Sequence, residues 1–194
     1  MKEDVLKLLN AIQRMEPPLN QHIFDLLKPE HIPAGTEVLA FGKICRKIFF
    51  VSTGMFIGRK WIRGKEITTW IMREGDVVTS PASFLRQIPS TEWIITVEDC
   101  EIWSITYEQL QETYKRFPEF NLHGRMLTQQ YYLMALDRED FMKCNTAKKK
   151  YKMLMDTDPD LILRCPAKYL AGYLNVNETT LSTIKKGFKG GKKK

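Results

Sequence analysis

The sequence predicts an α+β chain: two short N-terminal helices, a β-rich body, one long helix and a small helical C-terminal unit. Three observations predict it. Between Ile32 and Ile105, short runs rich in Val, Ile, Phe and Trp are separated by Gly35, Gly42, Gly54, Gly58, Gly64 and Gly75. Short strands with turn residues between them are the texture of an all-β sandwich or barrel. From Glu119 to Lys143 the apolar residues recur at helical spacing without a break. The charge is also divided. Up to Phe141 the chain carries 17 basic and 19 acidic residues; from Met142 to Lys194 it carries 13 basic and 4 acidic. A near-neutral folded body is thus followed by a basic tail suited to an anion such as nucleic acid or an anionic lipid surface.

The elements follow in order. Val5, Leu8, Leu9 and Ile12 mark a first helix, which Pro17-Pro18 should end. Leu19, Ile23, Leu26 and Leu27 mark a second, stopped near Pro29. Within the β-rich region, Gly64-Lys65 is the expected tip of a hairpin between Phe56–Ile62 and Glu66–Met72. Helix returns at Tyr107–Arg116 and ends at Phe117-Pro118.

The long helix has two apolar stripes at 100° per residue. Phe120, Leu127, Tyr131, Met134 and Phe141 form one; Leu122, Met126, Leu133 and Leu136 form the other, nearly opposite. One stripe can pack on the body. The spacing from Phe120 through Leu127 and Met134 to Phe141 suits a helix pair, so that stripe is the expected homodimer interface. Beyond it, Ala147–Met155 reads as a basic amphipathic helix, Asp156–Asp160 as a turn, and about Pro166–Leu174 and Glu178–Phe188 as two short helices. The expected boundaries are 1–117 for the body, 118–144 for the long helix and 145–194 for the C-terminal unit.

Several classes are excluded. No stretch approaches the ~20 apolar residues of a membrane span, and the start Met1-Lys2-Glu3-Asp4 has no signal-peptide pattern. Cys45, Cys100, Cys144 and Cys165 are dispersed, which fits a reducing cytoplasm and neither a zinc ribbon nor a disulfide framework. His22, His31 and His123 have no partner at ligand spacing, so no metal is expected. There is no nucleophile–base pair, metal cluster or P-loop, and no catalytic residue is assigned.

The sharpest local pattern lies between Ala167 and Phe188. A helix-turn-helix needs apolar residues where its helices touch, a small residue where they cross and a turn that tolerates a left-handed backbone. Leu170 and Leu174 supply the inner face of the first helix, with Ala171 at the crossing. Asn175 is the turn residue, since Asn tolerates left-handed dihedrals next best after Gly. Val176 plugs the turn, and Leu181 and Ile184 supply the second inner face. Asn177 can cap the second helix, and Glu178 suits its positive end. In this reading Asn177, Glu178, Thr179, Thr180, Ser182 and Thr183 face base edges in the DNA major groove. Lys168, Lys185, Lys186 and Lys189 serve phosphates.

With these residues in place, nearly the whole chain resembles the Crp/Fnr family of bacterial transcription regulators. Gly35-Thr36-Glu37-Val38-Leu39, Phe41-Gly42 and Ile48-Phe49-Phe50-Val51-Ser52-Thr53-Gly54 resemble the first half of its cyclic-nucleotide-binding jelly roll. Gly75-Asp76 resembles the start of the phosphate cassette, and Val97-Glu98-Asp99-Cys100 with Ile102 the strand that follows. Tyr169–Val176 and Glu178–Ser182 resemble the family's helix-turn-helix, in a short form most similar to regulators of the Bacteroidetes.

The resemblance implies an N-terminal double-stranded β-helix (jelly-roll) domain, a long dimerisation helix and a C-terminal DNA-binding domain. It implies a sequence-specific regulator with double-stranded DNA, a second copy and RNA polymerase as partners.

The chain departs from the family at two sites. Where nucleotide-binding members carry Gly-Glu, and then Arg with Ser or Thr, this chain has Thr79-Ser80 and Ser90-Thr91. No basic residue stands at the phosphate position, so cyclic AMP is not expected and no cofactor is assigned. The candidate polar lining of the pocket is Thr79, Ser80, Ser83, Arg86, Ser90 and Thr91. In the recognition helix, Thr183 follows Ser182 where many members carry an Arg that binds guanine. That leaves a second reading: a ligand-binding or protein-interaction module with a vestigial DNA-binding end. Nor is an iron–sulfur or haem cofactor supported, because no cysteines cluster near the start and nothing distinguishes His22 or His31 as an axial ligand.

Overall fold

The computed structural model describes residues 2–62, 64–144 and 146–190, the side chains of Cys144, Lys189 and Gly190 excepted. Two helices, α1 (Lys2–Ile12) and α2 (Pro17–Leu26), precede eight strands. The strands are β1 (Lys28–Ile32), β2 (Glu37–Leu39), β3 (Lys47–Thr53), β4 (Phe56–Ile62), β5 (Lys65–Met72), β6 (Val77–Val78), β7 (Trp93–Thr96) and β8 (Cys100–Thr106). A short helix, α3 (Pro81–Arg86), lies between β6 and β7. The chain then runs through α4 (Tyr107–Arg116), a 3-10 turn at Pro118–Phe120, and α5 (Asn121–Cys144). The last elements are α6 (Ala147–Thr157), α7 (Pro159–Arg164), α8 (Ala167–Leu174) and α9 (Glu178–Gly190).

The strands form two four-stranded antiparallel sheets, ordered β1-β8-β3-β6 and β2-β7-β4-β5. Their inner faces close on one apolar core, where Phe49 of β3 stacks on Phe56 of β4 with centroids 6.2 Å apart. Alternation is lost in β3, whose consecutive Phe49, Phe50 and Val51 are all buried. One face meets the roll interior and the other meets helices, so both faces are apolar. Gly58 lets Trp70 lie flat across β4: a Cβ at Gly58 would stand 2.1 Å from the Trp70 ring.

Several boundaries differ from the sequence expectation, each for a local reason. Pro17-Pro18 opens α2 instead of ending α1, because Pro fits the first helical turn, where its missing N–H is not needed. Pro159 does the same for α7: Asp158 caps that helix by accepting from the Leu161 N–H at 3.2 Å, so a helix stands where a turn was expected. Helix α3 sits inside the region expected to be all strand, and it too begins on a Pro. Helix α9 runs to Gly190, past the expected end at Phe188.

The largest correction concerns the faces of α5. Of the stripe assigned to a partner, Phe120 is buried in the body core and Leu127 packs against it. The Tyr131 hydroxyl accepts a hydrogen bond from the Val77 N–H at 2.6 Å, and Phe141 packs into the C-terminal core beside Tyr173. Only Met134 remains exposed. Periodicity finds two stripes but does not say which one meets the body; the aromatic stripe does, through Phe120 and Leu127 in the body core and Tyr131 at Val77 of β6. The stripe left outward is the other one, with Met126, Leu133 and Leu136 each at least 40% exposed.

Candidate functional site

Helices α8 and α9 form a tight helix-turn-helix. Leu170, Ala171 and Leu174 of α8 and Leu181 of α9 are all buried at their contact. Asn175 takes the left-handed conformation, with φ 57° and ψ 47°. Next to it the Val176 N–H donates to the Ala171 carbonyl at 3.0 Å, which closes the turn. Val176 and Ile184 pack onto the same core. The Asn177 side chain caps α9 by accepting from the Thr180 N–H at 2.7 Å. Each of these positions does what the sequence pattern required.

The outer surface of this unit is polar. Asn177, Glu178, Thr179, Thr180, Ser182 and Thr183 are exposed at the N-terminal half of α9. The Thr183 hydroxyl donates to its own helix at Thr179 O, 3.1 Å away. Lys168 and Lys186 are exposed and Lys185 half-buried, while the side chain of Lys189 lies outside the described residues. In α6, Lys148 and Lys149 are exposed but Lys150 is buried against the Met142 sulfur, and burial lowers its pKa. The basic triplet therefore presents two charges outward and packs the third.

The unit is also docked on the body, through groups the sequence reading did not single out. Gly172 of α8 lies against β5, where an added Cβ would stand 3.0 Å from Thr68 Oγ1 and 3.1 Å from its backbone nitrogen. Met55, Ile71 and Val97 of the body share one core with α6–α9. Arg164 of α7 holds Glu74 at 2.7 Å, Glu98 at 2.6 Å and Asp160 at 3.0 Å. The guanidinium pulls the Glu74 carboxyl down to about 2, helped by the Gly54 N–H that donates to it. Arg73 holds Asp158 and Asp160 in turn. The Arg138 guanidinium lies 3.5 Å from the Tyr173 ring centroid and donates to the Tyr173 and Thr69 carbonyls. These partners lie 66 to 90 residues apart for Arg164 with Glu98 and Glu74, a distance that periodicity does not reach.

The roll interior is the second candidate site, and there the six expected residues part company. Ser80 and Ser90 are buried together, 3.3 Å apart. Ser83 is buried elsewhere, accepting from the Cys45 N–H and donating to the Ile88 carbonyl. Thr79 donates to the Lys47 carbonyl. Arg86 and Thr91 are exposed and do not join Ser80 and Ser90.

What Ser80 and Ser90 surround is a residue not singled out, Glu92, which is 4% exposed. Ser80 donates to one carboxylate oxygen at 2.6 Å and the Trp70 indole to the other at 3.3 Å. The Lys60 ammonium stands 3.8 Å away. A short polar residue two positions upstream was the only sequence clue. The three histidines are each engaged separately, His22 with Thr113, His31 with Glu101 and His123 with the Gln13 carbonyl.

Comparison with known proteins follows this geometry. Residues 29–117 match the model of the cyclic nucleotide-binding domain. A search of the curated proteins gives no match. Among solved structures, the chain is similar to FixK2 from Bradyrhizobium japonicum, at TM-score 0.72 and 14% identity over 84% of this chain and 85% of that one. It is similar to CLP, the c-di-GMP-responsive global regulator of Xanthomonas campestris, at 0.69 and 14% over 90% and 92%. A third, described as a Crp/Fnr family regulator from Eubacterium rectale, matches at 0.70 and 18% over 90% and 84%. Residues 29–117 thus match the cyclic nucleotide-binding domain, and the chain shares its fold, helices included, with these solved structures. Among the described residues, no helix is long and apolar enough to cross a membrane, and no cluster of metal-ligating side chains is present.

Proposed function

We propose that the protein is a homodimeric, sequence-specific DNA-binding transcription regulator of the Crp/Fnr type, working in the cytoplasm and without catalytic activity. One observation carries the reading: the capped, exposed N-terminal half of α9, held by a helix-turn-helix whose Leu170, Ala171, Leu174 and Leu181 are buried at the helix contact. Glu178 and Thr179 are exposed, as groove contact requires; burial of either would have favoured an interaction module. Two-fold pairing is assigned to the outward stripe of α5, Met126, Leu133 and Leu136, in place of the aromatic stripe. RNA polymerase is a further partner under this reading.

The roll is assigned a role other than cyclic AMP binding. A cyclic phosphate in the roll would meet the buried Glu92 carboxylate, to which the nearby Lys60 ammonium is already paired at 3.8 Å, and the Trp70 ring lies across Gly58 beside it. Two anions in one buried site repel. The expected effect is no measurable change in the stability of the protein on addition of cyclic AMP.

The test is selection of bound fragments from genomic DNA by the purified chain at two salt concentrations. An enriched inverted repeat that persists at the higher salt supports the regulator. Salt-labile binding with no enriched motif means that only phosphate attraction survives, and the chain is then an interaction module. The substitution of Thr183 for a guanine-reading Arg is what gives that second outcome its weight.

A further inference from the structure

Behind the sheet β1-β8-β3-β6, a cavity of about 370 Å³ opens between α3, α4 and α5. It is separate from the roll interior that holds Glu92: its floor is the outer face of β3 and β8, at Ile48, Phe50 and Ile105. Phe84 of α3 and Leu127 of α5 supply walls, and no Asp, Glu, Lys or Arg lines it. Its volume is within the range of small-molecule sites, roughly 300–1,000 Å³.

Hydroxyls are its polar groups. Thr128 donates to the Gly124 carbonyl at 2.8 Å. Tyr131 accepts from the Val77 N–H and shares a hydrogen bond with Asp76. The Tyr114 hydroxyl has no hydrogen-bond partner among the described residues, and it stands so close over Gly124 that a Cβ there would be 2.1 Å from it. Tyr132 also lines the cavity but is 64% exposed, so the unused donor on the body side is Tyr114, and an apolar chamber with that donor defines its occupant. A carboxylate or phosphate would be buried without a cation, which is strongly unfavourable. A second copy does not fill it either: the inner walls at Ile48, Phe50, Phe84 and Leu127 lie between α5 and the body, and a partner on the outward stripe of Met126, Leu133 and Leu136 would reach the rim at Tyr132 and Ala135.

We propose that this cavity is a binding site for a neutral, mainly apolar small molecule with one hydrogen-bond acceptor, held by the Tyr114 hydroxyl. An aliphatic alcohol or ketone has that chemistry. Because α3, α4 and α5 all contribute walls, such a molecule fixes how the long helix lies on the body. The site stands on the body alone, so its test does not depend on DNA binding.

The test is equilibrium fluorescence of the full chain with N-phenyl-1-naphthylamine, followed by competition with 1-decanol and with decanoate. Saturable binding is expected, with decanol displacing the probe and decanoate at least about tenfold weaker. Ala135 is exposed at the mouth, so Ala135→Trp closes the chamber from a position the helix tolerates, and probe affinity should fall at least about tenfold. Tyr114→Phe should keep probe binding and weaken decanol about three- to tenfold. Circular dichroism checks each fold, and Ala135→Leu replaces the Trp variant if that one does not fold. No saturable probe binding, or an affinity unchanged in a folded mouth-closing variant, overturns the site. An unchanged decanol affinity in Tyr114→Phe overturns the assigned donor.

Discussion

The roll interior and the outer face of α9 draw on the same residue types and use them in opposite ways. In the roll, Ser80 and Ser90 are buried, and their hydroxyls are consumed by Glu92 and by each other. On α9, Thr179, Thr180, Ser182 and Thr183 are exposed on a frame fixed from within by Leu170, Leu174 and Leu181. A hydroxyl is a recognition group only when its neighbours leave it one. The pocket that the family resemblance made prominent is therefore internally satisfied, while the surface read from spacing alone stays open to a partner.

That contrast can be strained from either side. Leu170 is fully buried at the α8–α9 contact, and Leu170→Ala should cost about 2–5 kcal/mol, read as a lowered urea midpoint. If the cost is near zero, the C-terminal unit is not held by its core. In the roll, Gly58→Ala drives a Cβ into the Trp70 ring; the overpacking should cost about 1–3 kcal/mol and alter the tryptophan fluorescence of the folded state.

Smaller effects separate the turn from its cap. Asn177→Ala removes the acceptor for the Thr180 N–H and should cost about 1 kcal/mol. Asn175→Gly, at a left-handed position, should leave stability level or raised by a few tenths of a kcal/mol by the same chemical denaturation.

The smallest effect lies at the docking contact. Glu74 is partly exposed, and its pairing with Arg164 is screened by solvent. Its carboxyl falls from the ordinary 4.5 to about 2 in the folded chain. Its contribution is therefore present above pH 4.5 and is lost as the pH falls toward 2. Arg164→Gln should thus be less stable than the parent at neutral pH, with the gap closing across that interval in a pH series of thermal melts. A gap that stays constant with pH would place the effect elsewhere.

Legibility in the sequence followed the range of the forces. Local signals were readable: Tyr107–Arg116 is helical where expected, and its ends are set by the Thr106–Gln109 capping box and by Pro118. The helix-turn-helix was readable because its constraints lie within about twenty consecutive residues. Prolines misled where a helix start and a helix stop share the same residue, as at Pro17 and Pro159. The two α5 stripes were found, but the one expected to meet a partner packs on the body, since a 3.6-residue period carries no information about which neighbour is the body. Glu92, Arg164 and Arg138 were invisible because each acquires its role from partners on other elements of the fold.

Arg138 has a consequence for the order of assembly. Its side chain ties α5 to the Thr69 carbonyl of β5 and to the carbonyl and ring of Tyr173 in α8, so one group joins chain segments made early, in the middle and late. Strand β5 and helix α5 can come together before α8 exists. Until α8 docks, the Arg138 guanidinium has its Thr69 carbonyl but not the Tyr173 carbonyl and ring, so the arrival of the helix-turn-helix completes its set of partners.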